Sequence, residues 1–170
     1  AGLDNLTSVG GLFIGDQYLG GLNSLVSLEG LENLVEIHGN FSIQADSNLT
    51  SLTGLDNLVS IDGDLFISGN PVLTDCSISG ICNYLSAPNG SVNIYNNGSG
   101  CENPPALAAG CGIELPCLTY GNYYLLSQED VDNFAANYLG CNELQGNLTI
   151  MGDGISNLAG LSGITSVGGD

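Results

Sequence analysis

The sequence contains neither lysine nor arginine, whereas it contains 18 acidic residues and one histidine, so its formal net charge is −18. Without such cations the protein cannot neutralise a phosphate backbone, attract an anionic membrane or clamp an anionic substrate. Nucleic acid and anionic membranes are therefore excluded as partners. Because salt bridges from lysine or arginine cannot form, the fold must depend on apolar burial, backbone hydrogen bonds and disulfides.

Tryptophan is also absent, and the 170 residues include no stretch apolar enough to span a membrane, so we expect no membrane insertion. Hydrophobic residues make up 43% of the chain, which indicates a core of leucine, isoleucine and valine. The acidic balance is typical of a secreted or salt-adapted protein that stays soluble. Binding of cations is the alternative interpretation.

Two segments of the chain, residues 30–53 and 54–77, carry the same pattern at an offset of 24 residues. Each has the spacing L-x-x-L-x-x-I followed by L-x-I, with Gly39 or Gly63 at a sharp bend between the two parts. A unit of this length has an apolar face that it can bury only against another copy. The pattern predicts a β-solenoid with a repeat of about 24 residues and short capping helices.

The pattern divides the chain into three predicted regions. Residues 1–75 are leucine-rich solenoid coils, and their first copy, residues 2–29, carries a four-residue insertion near Asp16 to Gly21. Residues 76–116 contain four cysteines and two short helical patterns, so they are predicted to form a disulfide-rich cap. Residues 117–170 are predicted to start a second solenoid, which is incomplete at the C-terminus.

Six cysteines and a single histidine favour disulfides over a zinc site, since no C-x-x-C pair occurs. Disulfides would place the protein outside the reducing cytosol. Four of the cysteines permit three connectivities, of which we favour Cys76–Cys101 with Cys82–Cys111. Cys117 and Cys141 bracket a predicted helix over residues 127–139 and are predicted to form a third bond.

The motif GLxNLxxIxGxLxIxxNxxL, carried by residues 30–50 and 54–73, resembles the atypical leucine-rich repeats of secreted Bacteroidetes-type surface proteins. The wider plan is similar to the receptor L domain and to related fungal cell-wall proteins. The chain departs from the pattern in its first-copy insertion and in Asp46 and Asp153, which stand where Asn70 stands. The resemblance implies a leucine-rich fold, and it leaves adhesion, ligand recognition and wall architecture as possible functions.

Alternation along the predicted strands identifies a candidate interaction face. With Leu65 and Ile67 inward, the residues between them should face outward along one sheet. Exposed Phe13 and Phe66 would form an apolar patch typical of an interface, unless the insertion loop covers them. The candidate face comprises Phe13, Ser42, Gln44, Phe66, Ser68, Tyr95, Thr149 and Met151.

Other polar residues are interpreted as structural. Asn5, Asn33 and Asn57 share one phase of the repeat and are predicted to form a ladder of amides bonded to the backbone. His38 aligns with Asp62 in the next copy, which has no equivalent chemistry, so we predict no catalytic site and no enzyme.

No cofactor is expected from the sequence. Calcium is the alternative, with the pairs Asp62/Asp64 and Asp130/Asp132 as candidate ligands, although no calcium-loop motif is present.

The sequence therefore predicts a non-enzymatic, secreted or cell-surface protein for adhesion or recognition of a protein or glycan ligand. The alternative is a structural protein that binds copies of itself, because the pattern stops in mid-repeat at Asp170. In that case the open end would dock on the N-terminal coil near Gly2 of another copy and build a filament. A chain that continues beyond Asp170 would explain the same observation.

Overall fold

A computed structural model describes residues 2–16, 18 and 20–169 of the chain. Gln17 and Leu19, in the predicted insertion, and Asp170, in the predicted docking end, lie outside the described residues. The described part contains eleven short strands: β1 (Ser8–Val9), β2 (Leu12–Ile14), β3 (Glu36–Ile37), β4 (Phe41–Gln44), β5 (Ser60–Ile61), β6 (Leu65–Ser68), β7 (Val92–Tyr95), β8 (Tyr123–Leu125), β9 (Glu143–Leu144), β10 (Leu148–Ile150) and β11 (Ser166–Val167). It also contains four short helices: α1 (Ser79–Ser86), α2 (Pro104–Cys111), α3 (Gln128–Asp132) and α4 (Phe134–Asn137).

The strands form four separate parallel sheets, with the orders β1-β3-β5, β2-β4-β6-β7, β8-β10 and β9-β11. The prediction of a leucine-rich β-solenoid is therefore wrong. Instead of one continuous stack, the described residues form several small sheets with short helices between them. The predicted division at residues 75 and 116 stays a prediction.

Two features interrupt the sheets. Helix α1 packs against β5, so a helix lies where the three-stranded sheet would otherwise add its next strand. The four-stranded sheet ends at β7, and the next strand, β8, pairs with β10 instead. The spacing of the leucines alone does not indicate where a helix displaces a strand.

Strand register follows the sequence alignment in the middle of the chain. Ile37 pairs with Ile61, and Phe41 pairs with Leu65, each across 24 residues. These four side chains are buried, because alternate residues of each strand point into the core. The surrounding core consists mainly of the leucines and isoleucines of the aligned motif.

Gly39 lies at a bend between strands, as expected, but its role is close packing. A Cβ atom on Gly39 would collide with the carbonyl oxygen of Gly10 on the neighbouring segment. Its φ is not among the positive values, so the position needs a small residue rather than left-handed backbone freedom.

The helices begin at side-chain caps where the sequence provides them. Asn103 caps α2 by accepting a hydrogen bond from Ala106 N, and the helix ends at Gly112 with a φ of 66°. Ser127 and Asp130 form the predicted capping box at α3. The helix predicted over residues 127–139 is divided into α3 and α4 at Asn133, whose φ and ψ are −91° and 2°.

Three disulfides, Cys76–Cys101, Cys82–Cys111 and Cys117–Cys141, account for all six cysteines. They are the pairs favoured in the sequence analysis. Cys82–Cys111 joins α1 to the end of α2, and Cys117–Cys141 joins the segments before β8 and β9. Three disulfides indicate an oxidising environment and are consistent with a secreted protein.

In the part of the chain that the structure describes, none of the helices is both long and apolar enough to cross a membrane.

Candidate ligand-binding face and groove

The candidate face contains two rows of residues that lie side by side across the four-stranded sheet. The first row runs from Phe13 through Ser42 to Phe66, each in direct register with the next. The second row comprises Gln44, Ser68 and Tyr95 in the same arrangement. Thr149 lies in a different sheet, where it pairs with Tyr124, and Met151 follows that strand.

Exposure differs strongly along this face. Phe13 is 67% exposed and Met151 is 58% exposed, whereas Phe66, Gln44, Tyr95 and Thr149 are half-buried. Phe13 is therefore open to solvent, and the alternative that the insertion loop covers it does not hold for the described residues.

Ser42 and Ser68 were expected to be exposed, but both are buried, at 3% and 5% exposure. Ser42 lies between Phe13 and Phe66 and accepts a hydrogen bond from Gln44 Nε2 at 2.8 Å. A small side chain between two larger ones is covered by them, so only the larger residues of this face remain available for contacts.

A pair of tyrosines extends the face beyond the residues predicted from the sequence. The rings of Tyr95 and Tyr124 lie with centroids 4.2 Å apart and planes at 33°. Burial, with Tyr95 as a second cause, raises the pKa of Tyr124 above its ordinary value. The alternation of Tyr123, Tyr124 and Leu125 was the signal that could have identified this strand.

Asn93 holds the tyrosine pair to the sheet and was also missed. Its side chain is buried, and its Oδ1 accepts hydrogen bonds from Asn122 Nδ2 and from Tyr124 Oη, at 2.5 and 3.3 Å. Asn93 lies in register with Phe66, so it continues the first row of the face. The tyrosine pair is thus attached to both neighbouring sheets.

Next to the tyrosine pair lies a groove of about 550 Å³. Its walls are the Tyr95–Tyr124 pair, the loop after β7, the start of α2 and the exposed side of α3 and α4. The polar side chains that line it are Asn96, Asn97, Glu102, Asn103, Ser127, Glu129, Asp130, Asn133 and Asn137.

Three of these side chains form a fixed frame. Asn97 donates from Nδ2 to the carbonyl oxygens of Ile67 and Cys101, at 2.8 and 3.0 Å. Asn103 caps α2 and donates to Asp130 Oδ1 at 3.1 Å. Because Asp130 Oδ2 accepts hydrogen bonds within the α3 capping box, α2 and α3 are linked through this frame.

Five other side chains in the groove are uncommitted. No side-chain hydrogen bond within residues 2–16, 18 and 20–169 involves Asn96, Glu102, Glu129, Asn133 or Asn137. Asn137 is half-buried, and the other four are exposed. The groove therefore combines a fixed frame with free carboxylates and amides.

His38 lies apart from this groove. Its Nδ1 is 3.3 Å from Asp62 Oδ2 and its Nε2 is 3.7 Å from Glu36 Oε2, and all three side chains are about half exposed. All cysteines are oxidised, so no thiol is available as a nucleophile. The arrangement is a solvated contact between neighbouring strands.

The candidate calcium ligands are not brought together with further ligands. Among the described residues, no group of three or more histidine, cysteine, aspartate or glutamate side chains could hold a metal ion. Asp132 accepts from Gln128 Nε2 at 2.8 Å, and Asp64 accepts from Ser91 N at 2.7 Å. Asp62 instead contacts His38.

The asparagines predicted to form a ladder include two that bond to the preceding segment. Asn33 Nδ2 donates to Asp4 O at 2.6 Å, and Asn57 Nδ2 donates to Glu32 O at 2.7 Å. Both bonds join backbone to side chain between neighbouring segments of the chain. No hydrogen bond from Asn5 takes part in this arrangement within the described residues.

Comparison with protein-family models, curated proteins and solved structures found no match to this chain. The resemblance to atypical leucine-rich repeats and to the receptor L domain therefore stays a prediction.

Proposed function

We propose that the protein is a non-enzymatic recognition module that acts outside the cell or at its surface and binds a protein or glycan ligand. The observation that supports this proposal best is the groove beside Tyr95 and Tyr124, because it combines an aromatic wall with uncommitted polar side chains. Exposed Phe13, on the same sheet as Tyr95, would widen the contact area.

The three disulfides support the extracellular part of the proposal, since they persist in oxidising compartments. The non-enzymatic part is supported by the placement of the reactive groups. The ring nitrogens of His38 contact the carboxylates of Glu36 and Asp62, and no histidine or cysteine lines the groove within the described residues to form a catalytic pair with its carboxylates.

A binding panel tests the proposal. Oxidised, purified protein would be applied to immobilised neutral and charged oligosaccharides and to synthetic peptides, beside the variant Tyr95→Leu. We expect at least one class of ligand to bind the wild type and to bind the variant less. Absence of binding to every class, or turnover of any panel compound, would contradict the proposed function.

A structural role in a head-to-tail fibre is the second candidate. Strand β2 lies at one edge of the four-stranded sheet and β10 at the edge of another sheet, each with a single partner among the described residues. Unpaired parallel edges can pair with a second copy. Light scattering and electron microscopy would show filaments that lengthen with concentration; monodisperse particles at every concentration would exclude this role.

A further inference from the structure

We propose that the groove beside Tyr95 and Tyr124 binds an arginine side chain on an extended peptide segment of a partner protein. The guanidinium group would contact the tyrosine pair and pair with the carboxylates of Glu102 and Glu129. This inference rests on the proposed function, because it names the ligand chemistry of the same groove.

The charge of the groove favours a cationic ligand. The groove contains acidic side chains and no cation, and the whole protein has no lysine or arginine to balance them. The carboxylates of Glu102 and Glu129 have no hydrogen-bond partner among the described residues, so a cationic ligand gains their attraction without breaking an existing contact. The net charge of −18 also increases the rate at which a basic segment is captured.

The aromatic wall favours a guanidinium group over a simple ammonium group. A cation against a tyrosine ring is attracted by the electrons of its face, and the planar guanidinium group can stack on that face as well. The ring of Tyr95 is paired with Tyr124, which is itself bonded to buried Asn93. The aromatic surface is therefore held in place before the ligand arrives.

The two segments that carry the carboxylates are already held together before a ligand binds. The bond between Asn103 and Asp130 fixes the start of α2 against α3, and these two segments carry Glu102 and Glu129. The frame already satisfies its own polar atoms, so binding costs little rearrangement. Asn133 and Asn137 remain free on the same wall and can bond the peptide backbone around the arginine.

Other occupants fit less well. A metal ion lacks a third ligand among the described residues. A neutral glycan could contact the tyrosines and amides, but it carries no charge to compensate Glu102 and Glu129. A small polyamine shares the positive charge but lacks both the planar group and the peptide backbone.

Calorimetric titration with short peptides tests the proposal on the intact, oxidised protein. The probe is an acetylated, amidated peptide with one arginine among glycine and serine residues, and its control has citrulline, a neutral isostere of arginine, at that position. We expect the arginine peptide to bind at least about tenfold more tightly, because a charge-assisted contact is lost with citrulline. A lysine peptide and spermidine should bind more weakly than the arginine peptide.

Substitutions in the groove test whether the arginine peptide binds there. Glu102→Gln with Glu129→Gln should weaken the arginine peptide about tenfold. The control, Glu29→Gln with Glu143→Gln, removes the same charge from exposed positions and should change the affinity by less than about twofold if the site is local. Tyr95→Phe should retain binding, whereas Tyr95→Leu should lose about threefold to tenfold because the aromatic face is gone.

Each contrary result has a definite meaning. Equal binding of the citrulline peptide would overturn the proposal, because binding would then not need the positive charge. Equal loss of affinity in both pairs of glutamate variants would also overturn it, because the peptide would then respond only to the overall acidic charge of the protein. Spermidine that binds as tightly as the peptide would assign the groove to polyamines instead. If a neutral oligosaccharide binds and the arginine peptide does not, this inference fails while the proposed recognition function stands.

Discussion

Asp46 is a buried carboxyl group at a position where neighbouring segments use asparagine. Asn70 and Asn97 donate from Nδ2 to the carbonyl oxygens of Ile43 and Ile67, at 3.1 and 2.8 Å. Asp46 is fully buried; its Oδ1 accepts from Leu22 N at 2.6 Å, but its Oδ2 has no hydrogen-bond partner among the residues that the structure describes. A buried polar atom without a partner costs free energy of folding.

We expect Asp46→Asn to raise the free energy of unfolding by about 1–2 kcal/mol at neutral pH. An amide at this position carries no charge, and by the register of β2 and β4 its Nδ2 can donate to Ile14 O, as Asn70 does to Ile43 O. Urea unfolding measures the change. The exposed Asp153→Asn substitution removes the same charge and should change stability by less than about 0.5 kcal/mol.

The gain in stability from Asp46→Asn should decrease as the pH is lowered. Burial raises the pKa of Asp46 above its ordinary value, because the interior disfavours the charged carboxylate. The ionised carboxylate therefore lowers the free energy of unfolding of the wild type only above the unfolded-state pKa. This destabilisation disappears as the pH falls and the carboxyl group becomes protonated in both states. The difference between the two proteins should narrow in acid; a constant or growing difference would show that the charge is not the cause.

At the residue scale, the sequence predicted which asparagines bond to the backbone, but it did not predict which polar side chains are buried. The repeated asparagines indicated hydrogen bonds to the backbone, and Asn33 and Asn57 make them. The burial of Ser42 could not be predicted, since it depends on the size of Phe13 and Phe66 in the two adjacent strands.

Helix α3 begins at a capping box whose two residues, Ser127 and Asp130, were both identified in the sequence. Ser127 accepts from Asp130 N at 3.1 Å, and Asp130 Oδ2 accepts from Ser127 N at 2.9 Å. Asp130 also bonds Asn103, so the cap and the frame of the groove are one network.

We expect Ser127→Ala to lower the free energy of unfolding by about 1 kcal/mol, because the Asp130 amide loses its cap. Chemical denaturation measures this loss. Ser99→Ala, at an exposed position without a side-chain hydrogen bond among the described residues, should be close to neutral. An equal effect of the two substitutions would show that the capping bond contributes nothing.

The division of the predicted helix into α3 and α4 was not visible in the sequence. The short 3-10 turn Ala159–Leu161 packs against both helices, and Gly160 approaches the carbonyl oxygen of Val131 so closely that a Cβ atom would collide with it. The apolar spacing of Val131, Phe134 and Tyr138 indicated helix correctly. The close approach of Gly160 lies two residues before the interruption at Asn133, and a contact with a distant segment is not visible in local spacing.

At the scale of the whole molecule, the sequence predicted which residues pair across strands in residues 30–75 and where the disulfides form. It did not predict that the sheets would be small and separate, because helix α1 occupies the side of β5 and strand β8 joins a different sheet from β7. The tyrosine pair was missed for the same reason, as it forms where two sheets meet.

The disulfides should contribute strongly to the stability of the whole molecule, since a net charge of −18 opposes compaction. Cys82–Cys111 closes a loop of 29 residues, and Cys82→Ser with Cys111→Ser should cost about 3–4 kcal/mol. Hydrogen exchange should accelerate first in α1 and α2, which this bond joins. Unchanged stability and exchange would contradict a structural role for the bond.

The proposed arginine site is one local groove on a protein with a net charge of −18. Nuclear magnetic resonance of isotopically labelled protein, titrated with the arginine peptide, tests this most directly. We predict chemical-shift changes concentrated at Tyr95, Glu102, Tyr124, Glu129 and Asn133. Shifts spread evenly over acidic residues far from the groove, such as Glu29 and Glu143, or no shifts at all, would contradict the account.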